Sequence, residues 1–325
     1  MGDARLLAVK WEDEMSVEDA RILVIGAGVN GSICAAGLER GGVNVTVLAR
    51  GKRYEQVRDE GIVIEDPFKK QRTVSRVPVI DHLDADDVYD YILVVVRKNQ
   101  AASLLPLLAQ NGSPSVVFMG NNLLGPQEFV DALGNERVMM GGVWGAGKRE
   151  GSLIRAITLK SAASPFGELD GTITPRLRRL ASIFKRAGFK MELSENIVDF
   201  QMTHGVGVAL IGRLVMKHGG AVKALARSTD DLQLFVAGRR EGQRVMRALG
   251  HQVIPRSEVV LATTPSFLQV LAFRALLNSR WGEVGLAWHV SQAPDEIEHL
   301  VLELQTLVEQ AGIPAPAIRR VLGEG

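Results

Sequence analysis

The residues from Ile22 to Gly31, Ile-Leu-Val-Ile-Gly-Ala-Gly-Val-Asn-Gly, constrain this chain more than any other stretch. Arg21–Ile25 is a short β-branched run ending at glycine, the pattern of a buried strand. Gly31–Arg40 then carries Ile33, Ala35, Ala36 and Leu38 at helical spacing. Between them the glycines fit G-x-G-x-x-G in the context the motif requires, after a strand and before a helix. Gly26 allows the tight turn, Gly28 lets the backbone approach a pyrophosphate, and Gly31 lets helix and strand pack closely. The helix N-terminus adds free N–H groups and a partial positive charge. Gly26, Ala27, Gly28, Val29, Asn30 and Gly31 are therefore the expected dinucleotide-binding residues. The competing reading is an ordinary strand-turn-helix with small residues, and the flanking strand, helix and second strand argue against it.

The second strand, Val43–Leu48, bears on the kind of dinucleotide. A site for NAD usually has Asp or Glu about 20 residues on, bonded to the ribose 2′-hydroxyl. Here Ala49 and Arg50 follow the strand, with Lys52 and Arg53 beyond and no acid at the tip. Cations there favour a 2′-phosphate through charge-assisted contacts, so the expected cofactor is NADPH/NADP, with Arg50 its discriminating residue. The alternative is a solvated basic loop.

Further strand patterns follow at Gly61–Ile64, Thr73–Val79, Asp90–Val96 and Ser115–Met119, with a helical stretch at Ala101–Leu108. This alternation predicts a parallel, doubly wound sheet. From Met139 to Phe166 glycines punctuate short strand-like pieces, of which Leu153–Leu159 is the clearest. Pro175–Lys185 is helical and Phe189–Leu193 reads as a last strand. After Glu195 the period-two pattern vanishes. Helical patterns occupy Phe200–Lys217, Asp230–Leu249, Pro265–Leu277 and Asp295–Gln310. The predicted organisation is an N-terminal extension over 1–19, a dinucleotide-binding domain over 20–194 and a helical domain over 195–325.

The formal net charge of +1 leaves no electrostatic footprint for nucleic acid or an anionic membrane. The longest apolar runs fall far short of the roughly 20 residues a membrane span needs. A single cysteine, Cys34, fits a reducing cytoplasm. The expected partners are a small-molecule substrate and a second copy of the chain, with no nucleic acid and no membrane. One decoy is set aside. Gly142-Val-Trp-Gly-Ala-Gly147-Lys148 satisfies most of a P-loop, but Arg149 stands where Ser or Thr should hold Mg²⁺, and β-like residues follow instead of a helix. His82, His218, His251 and His299 lack metal-ligand spacing, so no metal is expected.

In order along the chain, several further pieces resemble the ketopantoate reductase family. They are Arg50 closing the second strand, Gly61-Ile-Val-Ile, and Tyr91-Ile-Leu-Val-Val-Val-Arg-Lys98-Asn-Gln100. Then come the asparagine loop Gly120-Asn121-Asn122-Leu-Leu-Gly125, and Asp295-Glu296-Ile-Glu298 before a helix that ends in Gly312-Ile-Pro314. The resemblance implies an α/β Rossmann-like N-terminal domain and an all-α C-terminal domain of the 6-phosphogluconate-dehydrogenase-like type. It implies a cytoplasmic NADPH-dependent oxidoreductase of pantothenate biosynthesis that reduces 2-dehydropantoate. Lys98 would then sit beside nicotinamide and ribose as a catalytic and cofactor residue, with Asn121 or Asn122. Glu296 would serve the substrate.

The same resemblance exposes a departure. The family carries its general-acid lysine on the first helix of the C-terminal domain, with substrate-binding asparagines four and eight residues later. One subgroup reads Trp-Leu-Lys-Thr-His there, and this chain reads Phe200-Gln201-Met202-Thr203-His204. Met202, Val206 and Leu210 are thus expected on one face of the cleft, in place of three polar groups. An apolar face cannot hydrogen-bond a carboxylate. The acid is left unassigned, with His204 a weak candidate that enters the cleft only in a shifted register. His289 and Glu296 stand two helical turns apart, with Pro294 between them. Three functions fit: a 2-oxo acid reductase with an apolar substrate site, a non-catalytic NADP-binding sensor, and an imine- or opine-type reductase.

Overall fold

The computed structural model describes residues 19–158 and 163–324. Most of the predicted N-terminal extension, and Leu159 at the end of one predicted strand, lie outside these residues.

Strand β1 (Arg21–Ile25) lies inside the main sheet, third from one edge. Its side chains alternate between two apolar layers. Ile22 and Val24 pack with helix Val29–Arg40, and Leu23 and Ile25 pack on the opposite face. That double burial is why the run is apolar at every position. β2 (Asn44–Leu48) and β6 (Tyr91–Val94) flank β1, both parallel to it. β5 (Val79–Ile80) extends the β2 side. The other side continues through β7 (Val116–Phe118), β8 (Val138–Gly141), β11 (Ala163–Glu168) and β12 (Lys190–Leu193). β11 runs antiparallel to β8, so the sheet is mixed at this side, where the alternation had predicted a parallel one.

A second sheet was not foreseen. It orders β4 (Arg72–Ser75), β3 (Ile62–Glu65), β10 (Leu153–Thr158) and β9 (Gly145–Glu150). The predicted strand Thr73–Val79 is therefore two strands in two sheets, β4 and β5. The break falls just before Pro78, which lacks an N–H and restricts Val77 ahead of it. The P-loop-like segment Gly142–Lys148 runs into β9, with no helix behind it.

Among the described residues no strand follows β12. Helix Ile197–Lys217 opens the helical part, followed by Thr229–Ala248, Ser266–Asn278 and Pro294–Ala311. They share one core, built on Leu214, Leu232, Val245, Leu300 and Leu304. No single described helix is long and apolar enough to cross a membrane.

Candidate active site

β2 leaves β1 on one side and β6 stands on the other, so the chain reverses direction across the carboxyl ends of β1 and β6. Ligands of open α/β sheets bind in the crevice outside such a point. A cleft of about 850 Å³ opens there, between the sheet and the helices Ile197–Lys217, Trp288–Gln292 and Pro294–Ala311.

The glycine loop forms one wall. Gly26 has φ +104°, and a Cβ there would stand 2.4 Å from the Val95 carbonyl oxygen. A Cβ on Gly31 would stand 1.8 Å from the Gly26 carbonyl oxygen, so helix and turn pack backbone to backbone. Gly28 caps the helix with no side-chain acceptor, and nothing lies within 4 Å of its Cβ position. Gly26 to Asn30 line the cleft, whereas Gly31 supports the loop from behind. The Asn30 Oδ1 is buried without a partner.

Arg50 lines the cleft, and its guanidinium makes no hydrogen bond or ion pair among the described residues. Arg53 is committed to the protein. Its Nε donates to the Ala27 carbonyl at 2.9 Å, its Nη2 to Ser32 Oγ at 3.1 Å and its Nη1 to the Ser152 carbonyl at 3.1 Å. Burial, together with the nearby charge of Arg149, lowers its pKa to about 10. Arg53 thus braces the glycine loop.

Lys98 departs from expectation. It does not line the cleft but lies beneath it, with Nζ 3.1 Å from Glu128, 3.7 Å from Glu303 and 4.7 Å above the Phe129 ring. A buried ammonium goes where carboxylates pair it. The cleft receives Arg97 instead, the residue before the helix turns inward. Arg97 Nη1 binds both Asp295 oxygens, at 2.7 and 3.0 Å, and its Nη2 donates to the Gln292 carbonyl. These contacts join the sheet to the helical part. Against the upward push of desolvation, hydrogen bonds from Asn99 and Arg97 hold the Asp295 pKa below the usual carboxylate value.

Of the asparagine pair, Asn121 lines the cleft and donates to Glu296 Oε1 at 3.3 Å. Asn122 is buried behind it and donates to the Gly125 carbonyl at 2.7 Å. Glu296 lies in the first turn of its helix and is only 4% exposed. The chain breaks at Ala293 (φ −140°, ψ 50°) before Pro294 opens that helix. The break brings His289 Nε2 to 3.9 Å from Glu296 Oε2. Residues separated by a predicted helix breaker thus meet in space.

The helix Ile197–Lys217 presents Phe200, Gln201 and His204 to the cleft. Met202, Val206 and Leu210, expected there, are buried in the core of the helical part with Leu123. The correction follows from hydrophobic burial: the apolar stripe of the helix faces its own core, and the polar and aromatic positions are left for the crevice. The Phe200 and His204 rings stack with centroids 5.9 Å apart. Gln201 is anchored by its Nε2 to the Gly141 carbonyl at 2.8 Å, and its Oε1 is buried without a partner. The His204 side chain is exposed to the cleft, whose walls desolvate it. This desolvation, and then the charge of His289, lowers its pKa below the usual imidazole value, against an upward pull from Glu258. Among the described residues no group of three or more His, Cys, Asp or Glu is arranged to hold a metal ion.

Sequence reasoning missed Arg97, Arg149 and Gln201, and left His289 outside the site because Pro294 interrupts its spacing from Glu296. For His289 a signal existed in its spacing from Glu296. For Arg149 none did, since β9 resembled a rejected motif.

Residues 22–169 match the family described as ketopantoate reductase PanE/ApbA. No curated protein is a significant sequence match. Solved structures match nearly the whole chain in fold. A 2-dehydropantoate 2-reductase from Methylococcus capsulatus is 22% identical, covering 93% of this chain and 94% of that one, with TM-score 0.67. A 2-dehydropantoate 2-reductase from Geobacter metallireducens GS-15 is 17% identical, covering 94% and 98%, with TM-score 0.76. A D-mandelate dehydrogenase, in a ternary structure with NADH and anilino(oxo)acetate, is 12% identical, covering 94% and 96%, with TM-score 0.76.

Proposed function

We propose, from the match of residues 22–169 to the family described as ketopantoate reductase PanE/ApbA, that the chain is an NADPH-dependent oxidoreductase reducing the ketone of a 2-oxo acid. One observation carries the reading. The glycine loop and the Asn121–Glu296–His289 cluster open onto the same cleft, which brings a dinucleotide-type turn and a histidine–carboxylate pair together.

The residues present fit a dinucleotide. Gly28 leaves open space at a helix N-terminus, and Arg50 stands unpaired at the tip of β2. When bound, the nicotinamide supplies the two electrons and the hydrogen that reach the carbonyl carbon. The loop from Gly26 to Asn30 holds the diphosphate through backbone N–H groups. Arg50 takes the 2′-phosphate, and Asn121 faces the reacting end.

Reduction of a ketone also needs a proton at the carbonyl oxygen. His289 donates it and becomes neutral, then regains a proton from solvent. The Glu296 carboxylate, with an oxygen 3.9 Å from Nε2, lies beside the ring at the cleft. The His204 ring stacks with Phe200 and serves with it as a wall. This flat aromatic face suits a substrate larger and less polar than ketopantoate. The apolar face that favoured a non-catalytic sensor is core packing and does not line the cleft.

The test is NADPH oxidation against a panel of 2-oxo acids that includes ketopantoate and aromatic members, with and without an added amine. Turnover of a 2-oxo acid without amine is expected. Turnover only with amine would make the chain an imine reductase, and NADPH binding without any turnover would make it a binding protein.

A further inference from the structure

The charges of the cleft do not balance. Its lining carries four arginines, Arg50, Arg53, Arg97 and Arg149, and one carboxylate, Glu296. Two of the arginines are spoken for. Arg97 is paired with Asp295, and Arg53 is bonded to the glycine loop and the Ser152 carbonyl. Glu296 is engaged by Asn121 and His289. Arg50 and Arg149 remain, and neither guanidinium makes a hydrogen bond or ion pair among the described residues.

An exposed arginine alone signifies little, but the neighbours of Arg149 supply the contrast. Lys148, next on β9, is off the cleft. Its Nζ is 2.6 Å from Glu150 and 4.6 Å from the Trp288 ring centroid. Glu150 also approaches Arg155 at 3.4 Å. The charges of β9 that point away from the cleft are therefore neutralised, and the one that lines it is not. The position of Arg149 is also fixed. Its backbone N–H donates to Gln292 Oε1 at 3.3 Å, which ties β9 to the helical part at the cleft. Arg149 is near enough to the buried Arg53 to disfavour its charge. Like charges gathered in a crevice with low-dielectric walls raise the local potential and draw an anion. Guanidinium forks match the oxygens of a phosphate group.

We propose that Arg149 is a phosphate-binding residue of the cleft, closing with Arg50 on a phosphate of the bound dinucleotide. The inference rests on the reading of the cleft as a dinucleotide site and adds a residue from β9, on the second sheet, far in sequence from the glycine loop. The phosphate is either the 2′-phosphate or the diphosphate, and the experiment separates them.

NADPH, NADH, 2′,5′-ADP and 5′-ADP are titrated against wild type, Arg149→Ala, Arg149→Lys and Lys148→Ala, with thermal unfolding followed in parallel. Arg149→Ala should weaken NADPH roughly tenfold or more while the unfolding temperature stays at the wild-type value. Arg149→Lys should restore part of the affinity, and Lys148→Ala should bind as wild type. If NADH and 5′-ADP are unaffected, the 2′-phosphate is the ligand. If NADH and 5′-ADP weaken as NADPH does, while 2′,5′-ADP, which carries no diphosphate, weakens less, it is the diphosphate. An Arg149→Ala protein that binds both cofactors as wild type overturns the inference and leaves the proposed function standing. A wild-type protein that binds no dinucleotide overturns both.

Discussion

The two walls of the cleft are built on different principles. The sheet-side wall is local: Gly26, Gly28 and Gly31 lie within one turn between a strand and its helix, and their backbone shapes that wall. The helix-side wall is assembled from Phe200, Gln201 and His204 on one helix, His289 on another and Glu296 past a chain break. A site made of backbone in a tight turn leaves a fixed spacing in the sequence. A site made of side chains from separate elements leaves none, because each position is set by packing elsewhere. The contrast can be tested from both sides.

The largest effect is expected at Met202, where the two readings of helix Ile197–Lys217 diverge. Met202→Lys places an unpaired ammonium in the helical core, at a cost of about 3–5 kcal/mol. Denaturant unfolding should show a large loss of stability, and ketopantoate turnover should not rise. A stable Met202→Lys protein with raised turnover would return this position to the cleft.

The acid–base pair comes next. His289→Asn and Glu296→Gln should each lower 2-oxo acid turnover about 10²–10⁴-fold, the usual contribution of a positioned acid. NADPH affinity measured by fluorescence should be unchanged. If His204→Asn abolishes turnover and His289→Asn does not, the proton comes from the other histidine.

On the opposite wall, Gly31→Ala and Gly28→Ala should differ in kind. A Cβ at Gly31 meets a backbone carbonyl and should cost about 1–3 kcal/mol of stability by overpacking, seen in thermal unfolding. A Cβ at Gly28 meets no protein atom, so that variant should fold as wild type and lose dinucleotide affinity alone. Equal unfolding curves for the two would contradict the packing role of Gly31.

The smallest effect concerns pH. The folded-state pKa of His204 is depressed below its unfolded value. Its contribution to stability is therefore complete above about pH 6.5 and is lost as pH falls below that, since the unfolded chain takes up the proton first. The unfolding temperature should fall between pH 7.5 and 5.5, and His204→Asn should remove a small part of that fall. An acid-side loss unchanged by the substitution would place the titration elsewhere.

Apolar periodicity marked the helices well. The predicted Asp230–Leu249 is Thr229–Ala248, and Asp295–Gln310 is Pro294–Ala311. It failed where pairing decides, as in the division of Thr73–Val79 between two sheets and the antiparallel turn of β11. Such pairing joins residues far apart in sequence, and no local pattern records it. Lys98 and Arg97 show the same limit at the scale of one residue. Adjacent cations have equal claims on a site until Glu128 and Glu303, both distant in sequence, draw one of them into the interior.

The sequence by itself determined the strand, the glycine turn and the helix that together make one wall of the cleft, because steric access at three glycines is a property of the local backbone. It also determined that an apolar stripe runs along Met202, Val206 and Leu210. Only the tertiary structure decided which way that stripe faces, which asparagine reaches the cleft, and that His289 meets Glu296. Each of those depends on where a neighbouring element packs, and burial of apolar surface sets that placement for the fold as a whole.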